Sequence, residues 1–147
     1  MNFRLEELSN DDIDSYLKKF PLYRGTYSCR HLPKIEKGVY IVNMDISPNG
    51  GGTHWTLVSN LEPKRIIYFD PFGLPPNTFT DKWMRSSHKP LFYSNLDYQN
   101  LDSNACGYFC VDVAQQLLKG RKIDDVIKGF SKNTMSNEHK LEYIFIL

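Results

Sequence analysis

A thiol, an imidazole, a carboxylate and a carboxamide are spaced through this sequence in a way that suits nucleophilic attack on a carbonyl. The thiol is Cys106, in the run Asn104-Ala-Cys-Gly-Tyr-Phe-Cys110. A cysteine in the first turn of a helix meets unpaired N–H groups and the positive end of the helix dipole, which favour the thiolate and lower its pKa. The same N–H groups can help hold a tetrahedral oxyanion. Gly107 has no side chain to cover the sulfur or crowd a substrate, at a helix cost of roughly 1 kcal/mol relative to Ala. Close packing is its other use. His54 is the candidate base, because an imidazole titrating near about 6.5 shuttles protons around neutrality. Asp70 is the candidate orienting group, a carboxylate accepting the imidazole Nδ1–H and so fixing its tautomer. Gln99, seven residues before Cys106, carries an NH₂ that can point at developing negative charge. Gly52 and Trp55, on either side of His54, are candidate substrate contacts together with Gly107.

Each of these residues taken alone has a plainer reading. Cys106 can be a core cysteine, His54 a hydrogen-bonded strand residue, and Asp70 before Pro71 a turn starter. Gln99 can be loop polarity, and Trp55 core. Cys110, one helical turn after Cys106, reads as core, and a helix constrains the two against a disulfide. His31, His88 and His139 read as surface residues. His54, Asp70 and Cys106 are zinc ligands by type, but their spacing follows no known zinc pattern. The set of four carries the reading: a nucleophile, a base, an orienting group and an oxyanion donor.

The elements that must position these groups can be read in order. Residues 3–20 read as a helix, with Ser9 as N-cap and Asp12 closing a capping box. Ile13 and Leu17 share its buried side, near Tyr16 and Phe20, and Pro21 ends it. Residues 22–38, with Gly25, Pro33 and Gly38, read as a loop. Residues 39–44 are a strand by their β-branched and aromatic content. In the loop that follows, Gly50-Gly51-Gly52 reads as a flexible turn, since no Lys-Ser/Thr pair follows to make a phosphate cradle. Residues 53–59 and 66–70 are two more strands joined by a hairpin turn. His54 lies near the start of one and Asp70 at the end of the next, so antiparallel pairing sets them side by side.

Residues 80–87 read as a short helix using Trp83 and Met84 as core, and residues 91–94 as a fourth strand. Residues 95–104 are a polar loop that delivers Gln99. From 105 to 119 the pairs Phe109/Cys110, Val113/Ala114 and Leu117/Leu118 repeat at 3.6 residues, which predicts a central, well-covered helix. Asp102, Ser103 and Asn104 are its candidate caps, and Gly120 its left-handed end. Residues 123–130 form another short helix and 133–137 a turn. Residues 138–147 fit either a helix or a terminal strand.

The composition bounds the answer. The chain has 147 residues, enough for one domain, 1–147, with a modest core. Its formal charge is +1, from 18 basic and 17 acidic residues, which does not call for nucleic acid. No apolar run reaches membrane-span length, and the charged N-terminus is not a signal peptide. Three cysteines without CxxC spacing suit a reducing, intracellular setting and leave Cys29 for an intermolecular bond. Nothing in the sequence requires a cofactor or a metal.

The order His-Trp, Asp-Pro-Phe-Gly, Gln, then Asn-Ala-Cys-Gly-Tyr-Phe-Cys resembles the adenovirus protease family, in the clan shared with the ubiquitin-like-protein-specific cysteine proteases. The stretches that carry the resemblance are Gly51-Gly-Thr-His-Trp55, Tyr68-Phe-Asp-Pro-Phe-Gly73 and Ser103-Asn-Ala-Cys-Gly-Tyr-Phe-Cys110, with Gln99 seven residues before the cysteine. Weaker likeness runs through residues 8–120. The resemblance implies an α+β, papain-like or adenovirus-protease-like fold with a central mixed sheet flanked by helices. It implies His54 as base, Cys106 as nucleophile, Asp70 as orienter and Gln99 as oxyanion donor in a cysteine endopeptidase. The viral branch has Glu where this chain has Asp70, whereas the ubiquitin-like branch has Asp. The implied substrates are viral precursor proteins cut during virion maturation, in the infected cell, its nucleus or viral factory, and in the virion. The adenovirus enzyme is stimulated by a short peptide, which adds a strand and forms a disulfide, and by DNA. This chain lacks most of the C-terminal region where the pairing cysteine would stand, and it has no basic stripe for DNA. The alternatives are removal of a ubiquitin-like protein ending in Gly-Gly, and an inactive peptide-binding module. The intact set of four argues against the latter.

Overall fold

The computed structural model describes residues 5–44, 54–100 and 103–146. Gly50, Gly51, Gly52 and Asp102, singled out above, lie outside the described residues. The first helix, α1 (Asn10–Leu17), starts where the capping box predicts. The Ser9 side chain accepts the Asp12 N–H at 3.1 Å, and Asp12 returns a bond to the Ser9 N–H at 3.0 Å. Ile13 and Leu17 are its fully buried residues.

Five strands form one mixed sheet in the order of the chain: β1 (Tyr23–Ser28), β2 (Gly38–Asn43), β3 (Trp55–Asn60), β4 (Ile66–Phe69) and β5 (Leu91–Tyr93). The two central pairings, β2 with β3 and β3 with β4, are antiparallel, and the outer two are parallel. Successive side chains point to opposite faces of a strand, and here each face is covered. Val39, Ile41, Leu57, Ile67 and Phe69 point into the larger core. Tyr40, Val42, Val58, Ile66 and Tyr68 point into a smaller one, closed by Met84 of α2 (Thr78–Arg85). A sheet buried on both faces accounts for strands that read as continuous apolar runs.

Against the larger core lies α3 (Cys106–Leu118), whose Cys106, Phe109, Cys110, Val113, Ala114 and Leu117 are all buried. Gly120 ends it at φ +100°, the left-handed conformation expected of a C-terminal glycine. Two short helices complete this layer, α4 (Ile123–Lys128) and α5 (Thr134–Phe145).

Four expectations are corrected. Residues 22–38 are not all loop, since β1 occupies 23–28. It is a half-buried edge strand throughout, with a register shift at Gly25, where φ is +109°, so it offers no alternating pattern to read. Residues 133–137 are not a turn: Asn133 accepts the N–H groups of Met135 and Ser136, and the helix runs on from Thr134. No side chain caps α3, where Asn104 or Ser103 was expected to; its N-cap position is Ala105. Cys29 is not available to a partner, being 2% exposed beneath the Asn77 amide.

Candidate active site

The central hairpin builds one half of the site. The β3–β4 register pairs Leu57 with Phe69, and continuing it outward sets His54 across from Phe72. The Asp70-Pro-Phe-Gly turn then folds back. The Phe72 N–H donates to Asp70 Oδ1 at 2.8 Å, and the Gly73 N–H to the Asp70 carbonyl at 2.8 Å. Gly73 has φ +75°, and a Cβ there would stand 2.6 Å from the Leu96 carbonyl oxygen, so only glycine fits. The turn leaves Asp70, 4% exposed, with Oδ1 at 2.9 Å from His54 Nε2. The Phe72 ring lies over the imidazole, with centroids 5.1 Å apart and planes 23° from parallel.

The ring faces the opposite way from the sequence expectation. Nε2, not Nδ1, meets the carboxylate, because His54 enters β3 from its outer end and reaches Asp70 with the far edge of the ring. His54 also interacts with the Cys106 thiol. Burial works against a positive imidazole. The interactions with Asp70 and Cys106 outweigh it and hold the His54 pKa up at about 9. His54 at neutral pH is therefore an imidazolium, ready to donate a proton.

Cys106 is the first residue of α3 and 4% exposed. The Trp55 peptide holds both thiols of the helix. Its N–H points at Cys106 Sγ at 3.4 Å, and its carbonyl accepts the Cys110 thiol at 3.4 Å. Burial pushes the Cys110 thiol well above its ordinary value, so Cys110 stays neutral core. With no side chain over the start of α3, its first-turn amides and dipole act on the sulfur.

Trp55 and Gly107 are more structural than their substrate-contact reading. The Trp55 indole donates to the Leu8 carbonyl at 2.8 Å, and its ring is 4% exposed. It borders an open cleft of about 540 Å³ between the segment Glu7–Asn10 and the ends of β1 and β2. The space that Gly107 frees is taken by Leu8, whose Cβ would lie 3.0 Å from an added Cβ.

Gln99 is fully buried. Its N–H and that of Tyr98 both donate to the Pro71 carbonyl, at 3.0 and 2.8 Å, so the Asp70 turn and the Gln99 segment are one unit. The side-chain Nε2 donates to the Ser103 carbonyl at 2.9 Å, while Oε1 has no partner. One amide proton is thus spent on the approach to Cys106 and the second is not. Phe72 and Pro71 were missed in the sequence as parts of the site. Their only signal was adjacency to Asp70 and the hairpin register. Among the described residues no three His, Cys, Asp or Glu side chains are grouped to hold a metal ion, and no helix is long and apolar enough to cross a membrane.

A mixed sheet flanked by helices is the architecture this chain shares with solved structures of a protease. Two crystal structures of the ASFV pS273R protease share it: one superimposes with a TM-score of 0.65 at 14% identity, and the other, with selenomethionine, with a TM-score of 0.63 at 17%. Each likeness covers 92% of this chain, which spans 65% and 66% of the length of those two chains. A weaker likeness, TM-score 0.41 at 11% identity, is to the central domain of Lpg1148 from Legionella pneumophila, covering 95% of this chain and 99% of that one. No family model and no curated protein matches the sequence.

Proposed function

We propose that this chain is a cysteine endopeptidase acting on viral precursor proteins. The observation that carries the reading is a single imidazole hydrogen-bonded to a buried carboxylate and interacting with a thiol at a helix start. The Cys106 thiolate attacks the scissile carbonyl carbon, whose π electrons move to oxygen to give a tetrahedral oxyanion. In this reading the first-turn N–H groups of α3 and the Gln99 amide receive that charge. The His54 imidazolium gives its proton to the leaving amine as the C–N bond breaks, leaving a thioester and a neutral imidazole. His54 then takes a proton from water, which attacks the thioester, and Cys106 leaves as thiolate with the imidazolium restored. Asp70 holds the ring and favours its charged form throughout.

The fold of the ASFV protease supports the viral setting, and with it precursor cleavage in the infected cell or the virion. No cofactor enters these steps, and an activating peptide or DNA is a separate question of regulation. The test is intact-mass analysis of the chain after incubation with a peptide vinyl sulfone, beside Cys106→Ala and His54→Ala. One adduct on Cys106, absent from both folded variants, is the expected result. No adduct on the folded chain, with or without a lysate of infected cells, overturns the peptidase reading. Profiling a virion-protein lysate against a ubiquitin-like tail ending in Gly-Gly then separates maturation from deconjugation.

A further inference from the structure

Helix α5 carries buried polar residues where a core-facing helix should be apolar, and two of them, Asn137 and Glu138, lie against residues that precede the thiol. Asn137 is 2% exposed and uses its whole amide. Nδ2 donates to the Tyr98 carbonyl at 3.0 Å and to the Ser131 carbonyl at 2.7 Å, and Oδ1 accepts the Ser131 N–H at 2.7 Å. Tyr98 immediately precedes Gln99. The Asn100 amide reaches Thr134 Oγ1 at 3.5 Å. Glu138, 1% exposed, faces the Asn100 N–H and the Ser103 side chain, though neither carboxyl oxygen has a hydrogen bond of normal geometry. Burial raises its pKa, with those two contacts opposing. Ser103 in turn binds Gln99 through its carbonyl and Ala105 through its hydroxyl, at 2.9 and 3.0 Å.

We propose that Asn137 and Glu138 are positioning residues, which fix Tyr98–Asn100 and the Ser103 side chain and through them aim the Gln99 amide at the oxyanion. The proposal rests on the peptidase reading of Cys106. Buried polar groups cost stability unless they are paired. Asn137 holds the Tyr98 carbonyl by a bond that an apolar side chain could not make, and Glu138, its neighbour on the same turn, lies buried beside Asn100 and Ser103. The bonds that join His54 to Asp70 and the Trp55 N–H to Cys106 involve no residue of α5. The two halves of the reaction therefore separate: thiolate formation is independent of α5, whereas stabilisation of the tetrahedral oxygen depends on it.

Two probes read the two halves. Iodoacetamide alkylates Cys106 by displacement of iodide, with no oxyanion. p-Nitrophenyl acetate acylates it through a tetrahedral oxyanion, with release of p-nitrophenolate. In Asn137→Ala and Glu138→Leu the alkylation rate is expected to stay within about twofold of the parent while acylation falls about ten- to a hundredfold, the scale of a displaced donor. Glu138→Gln, which keeps a polar group of the same shape, is expected to restore acylation. Glu138→Leu, which fills the space without an unpaired polar group, carries the test if Asn137→Ala does not fold. Unchanged acylation in a folded variant, or equal loss with both probes, overturns the proposal. If the parent protein shows no preferential alkylation over Cys106→Ala, the peptidase reading itself has failed.

Discussion

Replacing Asp70 by Asn tests the charge that the site is built to hold. The substitution keeps the shape and the Oδ1 that accepts the Phe72 N–H, but removes the negative charge 2.9 Å from His54 Nε2. In the parent, burial lowers the imidazole pKa and the contacts with Asp70 and Cys106 bring it up to about 9, against 6.5 for the free side chain. That difference corresponds to about 3 kcal/mol at roughly 1.4 kcal/mol per pH unit, and to about 2 once partial exposure of the ring is allowed for. The sign follows from proton counting. Below about pH 6.5 His54 is charged in both the folded and the unfolded chain, and the stabilisation is fully present. Between about 6.5 and 9 only the folded chain keeps the proton, so stability falls as pH rises, and above about 9 the contribution is gone. In Asp70→Asn burial is opposed only by Cys106, and this slope should flatten. Urea unfolding of both proteins at about pH 6 and about pH 9.5 should show the stability gap narrowing by about 2 kcal/mol, with titrations common to both cancelling. The His54 ring resonance, assigned with His54→Ala, should move its midpoint down by about two pH units. Parallel stability curves and an unmoved midpoint would refute the reasoning, because the imidazolium would then owe nothing to Asp70.

Three further outcomes follow from the packing around this pair. Gly73→Ala combines a left-handed φ of +75° with a Cβ 2.6 Å from the Leu96 carbonyl oxygen; thermal melts should show a loss of about 2–4 kcal/mol, and a loss below about 0.5 would mean the turn yields freely. Gly107→Ala gains about 1 kcal/mol of helix propensity but loses about 1–3 by pressing on Leu8, so denaturant curves should give a small net destabilisation, and a net gain would show that Leu8 moves aside. Phe72→Ala uncovers the imidazole and forfeits about 0.5–1.5 kcal/mol of ring stacking, so iodoacetamide labelling of Cys106 at neutral pH should slow by up to about tenfold; an unchanged rate would make Phe72 a bystander.

Most of what brings His54 and Asp70 together was legible because it is local. Two apolar runs, a short turn and a residue at each matching end fix a hairpin register without reference to anything else. Helix α3 was legible by its period, and α1 by its capping box. The parts that were not legible are those whose signal lies in tertiary context. Edge strand β1 is half-buried at every position, so it has neither alternation nor a continuous apolar run. Helix α5 buries Asn137, Glu138 and Glu142 beside Leu141, and a hydrophobic period cannot be seen in residues buried for their polarity. The ring orientation of His54 was out of reach for another reason: residue type gives an imidazole two nitrogens, and only the entry angle of the strand decides which one meets the carboxylate.

The sheet order β1 to β5 is the order of the chain, and that has a consequence for how the site comes into being. The His54–Asp70 contact closes a gap of 16 residues inside a hairpin, whereas Trp55 reaches Cys106 across 51, and Asn137 reaches back to Tyr98 across 39. Contacts of short sequence separation lose less chain entropy on closing and tend to form first. By that rule the His54–Asp70 pair is the first of these contacts to close as the chain is made, and the Asn137–Tyr98 bond, which needs α5, follows it. A nascent chain so ordered holds the imidazole beside its carboxylate before the thiol can reach either.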